Sequence, residues 1–363
     1  MIIAGGGTGG HLFPGIAIAE TFLARDDRNQ VLFVSTGNAF EIRTLGSRGL
    51  PLAKISAEGF KGRSLRYKIK SLLKLPKGIA ASFHIFRGFK PQLVVGMGSY
   101  SAAAVVLAAW LARKTIVLHE QNILPGITNR LLSRLADRIY VSFKETRLNV
   151  PADKVRVSGN PIRNQLLQEV QRQKVLDKRP AGKSRFTVLI VGGSQGAHAI
   201  NMAIIEALEY LQESRRLFFI HQTGPQDLAM VKARYTAKRV AAEVKPFFNN
   251  MARRYGQADL IICRAGATTV AEISALGKAS LLIPFPYAAD NHQVLNAQTL
   301  VRGQGAEMIL QDNLSAALLA GKIEFYAANP GLLSKMAANS QKMGFPDAAQ
   351  NIVDDCCQLL ERK

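Results

Sequence analysis

The residues that could do chemistry stand where apolar runs end. His11 closes the segment Gly6-Gly7-Thr8-Gly9-Gly10 and opens a helical pattern, FPGIAIAETFLA. An imidazole ordinarily titrates near neutrality, so this location suits a general base, although a lone histidine more often serves structure. A second glycine segment, GGSQGAH at 192–198, follows the apolar run 187–191 and precedes AINMAIIEALEYL. Glycine turns between strand and helix bring backbone N–H groups close to phosphate oxygens, and the helix start adds partial positive charge. The plain alternative is a tight turn with no ligand. One such turn leaves the two readings balanced; two matched turns favour a diphosphate.

Neither turn continues as GK[ST], which argues against a P-loop. A dinucleotide site wants an acid ending the second strand, but Glu41 in VSTGNAFE lies too far along, so NAD is disfavoured. A third turn, RAGATTVAE at 264–272, ends in an acid inside a helical pattern. Glu272 could accept two hydrogen bonds from a ribose diol, or be a solvated helix residue. DNHQ at 290–293 could read sugar hydroxyls with its acid and amides, or be a loop and helix cap. HEQN at 119–122 lacks the second histidine of the HExxH zinc motif, and Cys263, Cys356 and Cys357 have neither zinc nor disulfide-framework spacing. No metal site and no cofactor is expected.

These residues need a frame. Short Val/Ile/Leu-rich runs without clean alternation suggest parallel strands buried on both faces. They fall at 1–4, 31–35, 93–97, 115–119, 138–141 and 155–158, then at 187–191, 217–222, 240–244, 260–263, 280–283 and 307–310. Helical stretches between them make the fold class α/β, with repeated βαβ units. The polar stretch between about 165 and 185 reads as a surface helix and loop after a domain boundary, with six strands on each side. Each half opens with a strand, a G-G-[TS]-x-G segment and a helix, one design used twice. The last segment, 347–362, places Ile352, Cys356, Leu359 and Leu360 on one helical face.

The chain has 363 residues, 48% apolar and 20% charged, which suits about two soluble domains. Lys and Arg number 47 against 26 Asp and Glu, a net charge of +21 that calls for anionic partners. From 59 to 119 there is no acid, but there are eleven cations: Lys61, Arg63, Arg66, Lys68, Lys70, Lys74, Lys77, Arg87, Lys90, Arg113 and Lys114. Ile69, Leu72, Leu73, Ile79 and Phe83 interleave with Lys68, Lys70, Lys74 and Lys77 at helical spacing. That pattern suits an anionic membrane surface, while part of the stripe must face a core. No RNP-like or helix-turn-helix pattern supports nucleic acid. The N-terminus has no signal-peptide pattern. The uncharged run 93–112 splits at Gly96, Gly98 and Ser99 into a strand and a small-residue helix, which favours a soluble reading over a membrane span.

Long segments then resemble the MurG family of peptidoglycan glycosyltransferases over nearly the whole length: GGTGGHLFPGIAIAE, GSYSAAAVVLAA, HEQNILPGITNRLL, SGNPIR, LIVGGSQGAHAIN and ADLIICRAGATTVAEISALGKASLLIPFPYAADNHQVLNA. The resemblance implies a GT-B fold, two Rossmann-like domains with parallel sheets facing a central cleft. The acceptor and membrane-side domain would span 1–160, with 343–363 returning to it, and the UDP-GlcNAc-binding domain 161–342. It implies an inverting, metal-free transfer of GlcNAc from UDP-GlcNAc to the C4 hydroxyl of lipid I. The setting implied is peripheral, on the cytoplasmic face of the inner membrane, with other cell-wall synthesis proteins as candidate partners.

Carried over by motif, Thr8, Gly9 and Gly10 form the first turn, and Asn122 and Arg163 contact the donor. Ser194 meets the diphosphate, and Phe248, near Met251, offers its backbone to the uracil edge. Arg264 and the run Ala267, Thr268, Thr269, Val270, Ala271 and Glu272 surround sugar and ribose, with Glu272 on the ribose hydroxyls; Gln293 holds the GlcNAc hydroxyls. His11 is the chosen base, with Glu120 the fallback. Two departures stand out: the first strand, MIIA, is short, as if the start were truncated, and His292 stands where some relatives have glutamine. A UDP-sugar epimerase of similar build, or a non-enzymatic membrane or RNA-binding protein, are the alternatives.

Overall fold

The computed structural model describes residues 1–56, 65–176, 185–193 and 195–361, and side chains outside 65–74, 171 and 173–176. Ser194 and the side chains of Lys68, Ile69, Lys70, Leu72, Leu73 and Lys74 therefore lie outside the described residues. The chain divides into two compact units. Unit 1 is 1–163 with 347–363, and unit 2 is 164–346.

Unit 1 alternates strands and helices: β1 (Ile2–Ala4), α1 (Gly9–Arg25), β2 (Leu32–Ser35), α2 (Ala39–Gly46), β3 (Leu52–Lys54), α3 (Leu65–Phe89), β4 (Leu93–Gly96), α4 (Tyr100–Leu111), β5 (Thr115–Glu120), α5 (Ile127–Leu132), β6 (Arg138–Val141) and β7 (Val155–Val157). The seven strands pair in parallel in the order β3-β2-β1-β4-β5-β6-β7. Six strands were expected here. The seventh, β3, is a half-exposed edge strand of three residues without a β-branched run, so its apolar signal is faint.

Unit 2 continues with α6 (Asn164–Leu176), β8 (Phe186–Val191), α7 (His198–Ala207), β9 (Leu217–Gln222), α8 (Leu228–Ala237), β10 (Ala242–Lys245), α9 (Met251–Gln257), β11 (Leu260–Cys263), α10 (Ala267–Leu276), β12 (Ala279–Leu282), α11 (His292–Arg302), β13 (Glu307–Met308), α12 (Ala316–Ala328) and α13 (Pro330–Lys342). Its sheet is also parallel, in the order β10-β9-β8-β11-β12-β13. In both units the first strand lies inside the sheet, and strand order reverses between first and fourth. Open α/β sheets bind ligands outside the strand carboxyl ends at such a reversal, here β1/β4 and β8/β11.

The last helix, α14 (Ala348–Glu361), returns to unit 1. Ile352, Val353 and Cys356 join Leu12, Ile16 and Phe33 in one buried cluster. The Tyr140 hydroxyl donates to Asp355 at 2.8 Å, and Arg25 pairs with Asp354. The apolar run beginning at Leu93 resolves into β4 and α4, and no described helix is long and apolar enough to cross a membrane. Ile79 and Phe83, expected at a lipid surface, are instead half-buried against a core containing Ile2, Val94 and Val105, while Lys77 is exposed. Helical spacing showed the stripe but not how much of it the sheet would take.

Candidate active site

In unit 1 the turn after β1 packs against the turn after β4. A Cβ on Gly5 would stand 2.5 Å from the Gly98 carbonyl oxygen, so only glycine allows the approach. The first turn is also fastened from α2. There Asn38 and Glu41 form a capping box. The Glu41 carboxylate accepts from the N–H groups of Gly7 and Asn38, and the Asn38 side-chain amide donates to the Gly7 carbonyl at 3.2 Å. Glu41 is fully buried. The Gly7 amide, in the first glycine segment, is thus taken by a carboxylate. The acid that lies too far along for a nucleotide ribose holds the turn instead.

Thr8 is the N-cap of α1 in extended conformation and makes no side-chain cap bond. Its hydroxyl lies 3.5 Å from His11 Nδ1. Gly9, Gly10 and His11 form the first helical turn rather than part of the loop. The imidazole packs beside the second turn, for a Cβ on Gly98 would meet its Cδ2 and Nε2 at 3.3 Å.

The HEQN segment ends β5. His119 is fully buried; its Nε2 is 3.3 Å from the Gly159 carbonyl, and its Nδ1 accepts from the Gln121 amide at 3.0 Å. Burial lowers its pKa to about 4, so the ring is neutral. Glu120 is also buried, which raises its pKa. It accepts from the N–H groups of Asn122 and Gly126 at 2.9 and 3.0 Å and from the Asn129 side chain at 2.8 Å. These bonds make Glu120 the knot of the β5–α5 turn, a poor position for the fallback base. Asn122 is half-buried at the same turn. Arg163 lies with its guanidinium 4.5 Å over the Phe13 ring of α1.

In unit 2 the turns after β8 and β9 interlock. A Cβ on Gly196 would stand 1.9 Å from the Thr223 carbonyl oxygen, and one on Gly224 2.1 Å from that of Gln195. Gly193 has φ +98° and opens on space. Neither α7, entered through Ala197, nor α10, entered through Gly266, has a side-chain cap. Helix starts of this kind suit an anion.

Around the β11 turn, Glu272 is buried and its Oε2 accepts from the Tyr255 hydroxyl at 2.9 Å. Arg264, its pKa lowered by burial, donates to the Ile283 and Pro284 carbonyls and to Gln311. Gln293 accepts from the N–H groups of Ala265 and Phe285 at 3.2 and 3.0 Å. The His292 ring turns back to the Ala289 carbonyl at 2.7 Å. Ala267, Thr268, Thr269, Val270 and Ala271 form the first turns of α10. Phe248 is buried beneath Arg254, whose guanidinium lies 4.7 Å from its ring, and Met251 starts α9 nearby. Unit 2 thus gathers Phe248, Arg264, the α10 start, Glu272 and Gln293 at the carboxyl ends of its strands, while Thr8, His11, Glu120 and Asn122 belong to unit 1. No three His, Cys, Asp or Glu among the described residues could hold a metal ion.

Three supporting residues escaped the sequence. Glu41 carried a readable signal, the N-x-x-E box at 38–41. Tyr255 and Gln222, which join elements through tertiary contact alone, carried none.

The model of the glycosyltransferase family 28 N-terminal domain matches residues 1–141, and that of its C-terminal domain matches 187–352. The UDP-N-acetylglucosamine–N-acetylmuramyl-(pentapeptide) pyrophosphoryl-undecaprenol N-acetylglucosamine transferase of Geotalea uraniireducens is 46% identical, over 98% of this chain and 97% of its own. The Myxococcus xanthus protein of that name is 42% identical, over 99% and 93%. The crystal structure of Acinetobacter baumannii MurG superposes with a TM-score of 0.77 at 30% identity, covering 100% of this chain and 99% of that one. The UDP-GlcNAc 2-epimerase of Neisseria meningitidis, at a TM-score of 0.69 and 15% identity over 98% of each chain, shares the fold alone. With GT-B architecture, both halves of the family model matched and relatives aligned nearly end to end, the chain belongs to the MurG family of N-acetylglucosaminyltransferases within glycosyltransferase family 28.

Proposed function

We propose that this chain transfers GlcNAc from UDP-GlcNAc to the C4 hydroxyl of lipid I, giving lipid II with inversion at the anomeric carbon. The observation that carries the reading is end-to-end likeness to transferases of that name, at 46% identity for one of them. The epimerase alternative has only a shared fold behind it.

In this reading the donor binds unit 2. The uncapped starts of α7 and α10 meet the diphosphate, Ser194 adds its hydroxyl, and Glu272, steadied by Tyr255, takes the ribose hydroxyls. Arg264 and Gln293 brace the surrounding loops, and Gln293 also presents its amide to the sugar. The α10 start, 267–272, lines the sugar and ribose. Asn122 and Arg163, both in unit 1, are the further donor-contact candidates. The acceptor oxygen attacks C1 of GlcNAc, the C1–O bond to phosphate breaks, and UDP leaves with that electron pair. His11 takes the hydroxyl proton; Thr8, beside its Nδ1, and the Gly98 turn orient the ring. Thr8, Gly9 and Gly10 thus frame the base, and Glu120 shapes the adjoining turn. Fixed dipoles aimed at the leaving diphosphate stabilise charge as it develops.

A lipid-linked acceptor supports a reaction at a membrane surface, in this reading the cytoplasmic face of the inner membrane. The acid-free basic stretch supports a peripheral attachment to anionic lipid through unit 1. Trp110 and Leu111, 51% and 54% exposed at the end of α4, which packs on α3, support it too.

The test is transfer of labelled GlcNAc to a lipid I analogue by wild type and His11→Ala. The variant should lose about 10²–10⁴-fold in turnover while still binding UDP-GlcNAc. Normal turnover would remove His11 from the role. Free sugar released without acceptor would favour the epimerase.

A further inference from the structure

We infer that Phe13 is a positioning residue for donor binding: its ring is the platform that orients the Arg163 guanidinium. The inference rests on the reading of Arg163 as a donor contact and deepens it.

Phe13 lies on α1, two residues after His11, and Arg163 is the last residue of unit 1. The guanidinium carbon stands 4.5 Å from the centroid of the Phe13 ring. A cation over a ring face is attracted by the ring quadrupole, and the attraction grows as water is excluded. Both side chains are half-buried. The ring has little freedom to turn away. It stands edge-to-face with Phe40 of α2, at 6.1 Å between centroids and 89° between planes. It also fills the space over Gly9, where a Cβ would come within 3.0 and 3.2 Å of its Cε2 and Cδ2. Behind it lies the buried cluster that contains Leu12 and Ile16.

The same face of α1 supplies the charge balance. Glu20 lies two turns further along that face, and its carboxylate is 3.7 Å from Arg48 Nε. Burial raises the Glu20 pKa, while Arg48 and Arg163 draw it down; Arg48 in turn feels Arg163 as a like charge. Arg163 thus sits in a field set by a ring face and by one carboxylate shared with a second cation. A carboxylate that grips a guanidinium takes two of its N–H donors, whereas a ring face takes none. The platform therefore fixes the cation without using the donors that recognise phosphate oxygens.

Two variants separate the ring face from mere bulk. Phe13→Leu keeps apolar volume without the face, and Phe13→Tyr keeps the face. Binding of UDP-GlcNAc to the full chain is measured by calorimetry, with thermal unfolding as a control for folding, and KM and kcat by transfer of labelled GlcNAc. The Leu variant should bind UDP-GlcNAc about fivefold more weakly, and the Tyr variant as wild type does. Donor KM should rise by a similar factor in the Leu variant, more than kcat falls. Repeated in an Arg163→Met background, the Leu change should add nothing, because the cation that the ring serves is gone. A Leu variant with wild-type affinity, a fall in kcat alone, or an equal loss in the Met background overturns the positioning role. Should the Leu variant not fold, fluorinated phenylalanines at position 13 keep the shape while weakening the ring face step by step. Donor affinity should then fall with each added fluorine, and a flat series overturns the proposal. Wild-type affinity in Arg163→Met itself would instead remove Arg163 from the donor site, and with it the reading beneath.

Discussion

Removing the Glu41 carboxylate should loosen the first glycine turn by an amount that can be worked out. Glu41→Ala takes the acceptor from two backbone donors, Gly7 and Asn38, and breaks the capping box of α2. Hydrogen bonds to a charged acceptor are worth about 1.5–3 kcal/mol each. The low end applies, since Gly7 is exposed and Asn38 half-exposed, so water can reach both donors. Two bonds then give about 3 kcal/mol. Glu41→Gln keeps one acceptor oxygen and should cost about half as much. Trp110 is the single tryptophan and lies in unit 1, so its fluorescence follows that unit in urea. With an m-value of about 2 kcal/mol/M, the midpoint should fall by about 1.5 M in the Ala variant. The same variant should turn over more slowly, since α1 begins one residue after the turn. A midpoint within about 0.2 M of wild type would mean that the buried carboxylate does not hold the turn.

Acid should weaken each unit through one buried histidine. Burial lowers the pKa of His119 to about 4 and of His221 to about 3, against an ordinary 6.5. The unfolded chain therefore takes up protons first as pH falls, and stability is full above about 6.5 and declines below it. Each ring should contribute a loss of about 2 kcal/mol between pH 6.5 and 5, read from urea midpoints; equal midpoints at the two pH values would contradict neutral burial. The proposed surface attachment predicts binding to vesicles that rises with anionic lipid and falls with salt. Neutralising Lys68, Lys70 and Lys74 together should weaken it about a hundredfold at roughly 1 kcal/mol each; unchanged binding would count against the basic stretch.

What the residues announced and what they concealed divide along a physical line. Where burial on both faces selects Val, Ile and Leu, as in β8 and β11, the run itself is the strand. A glycine segment followed by a helical pattern then marks the turn that matters. Edge position weakens the signal, as in β3. The polar supports were harder to see because their partners lie far along the chain. Glu41 meets Gly7, and Gln222 meets Gly193 and Phe248, and no local period records such meetings. The stripe at Ile79 and Phe83 shows a related gap: spacing reveals a face, but only packing tells what covers it.

The return of α14 has a consequence for how the molecule is made. Unit 1 is built from the first 163 residues together with 347–363, so unit 2 is threaded into it as an insertion. A ribosome delivering the chain in order, at about 5–20 residues per second, must complete the whole insertion before Ile352, Val353 and Cys356 emerge. Until then the flank of α1 that they cover is bare apolar surface. The earlier-synthesised half is the later one to be finished, and it needs protection from aggregation for as long as translation of the inserted half lasts.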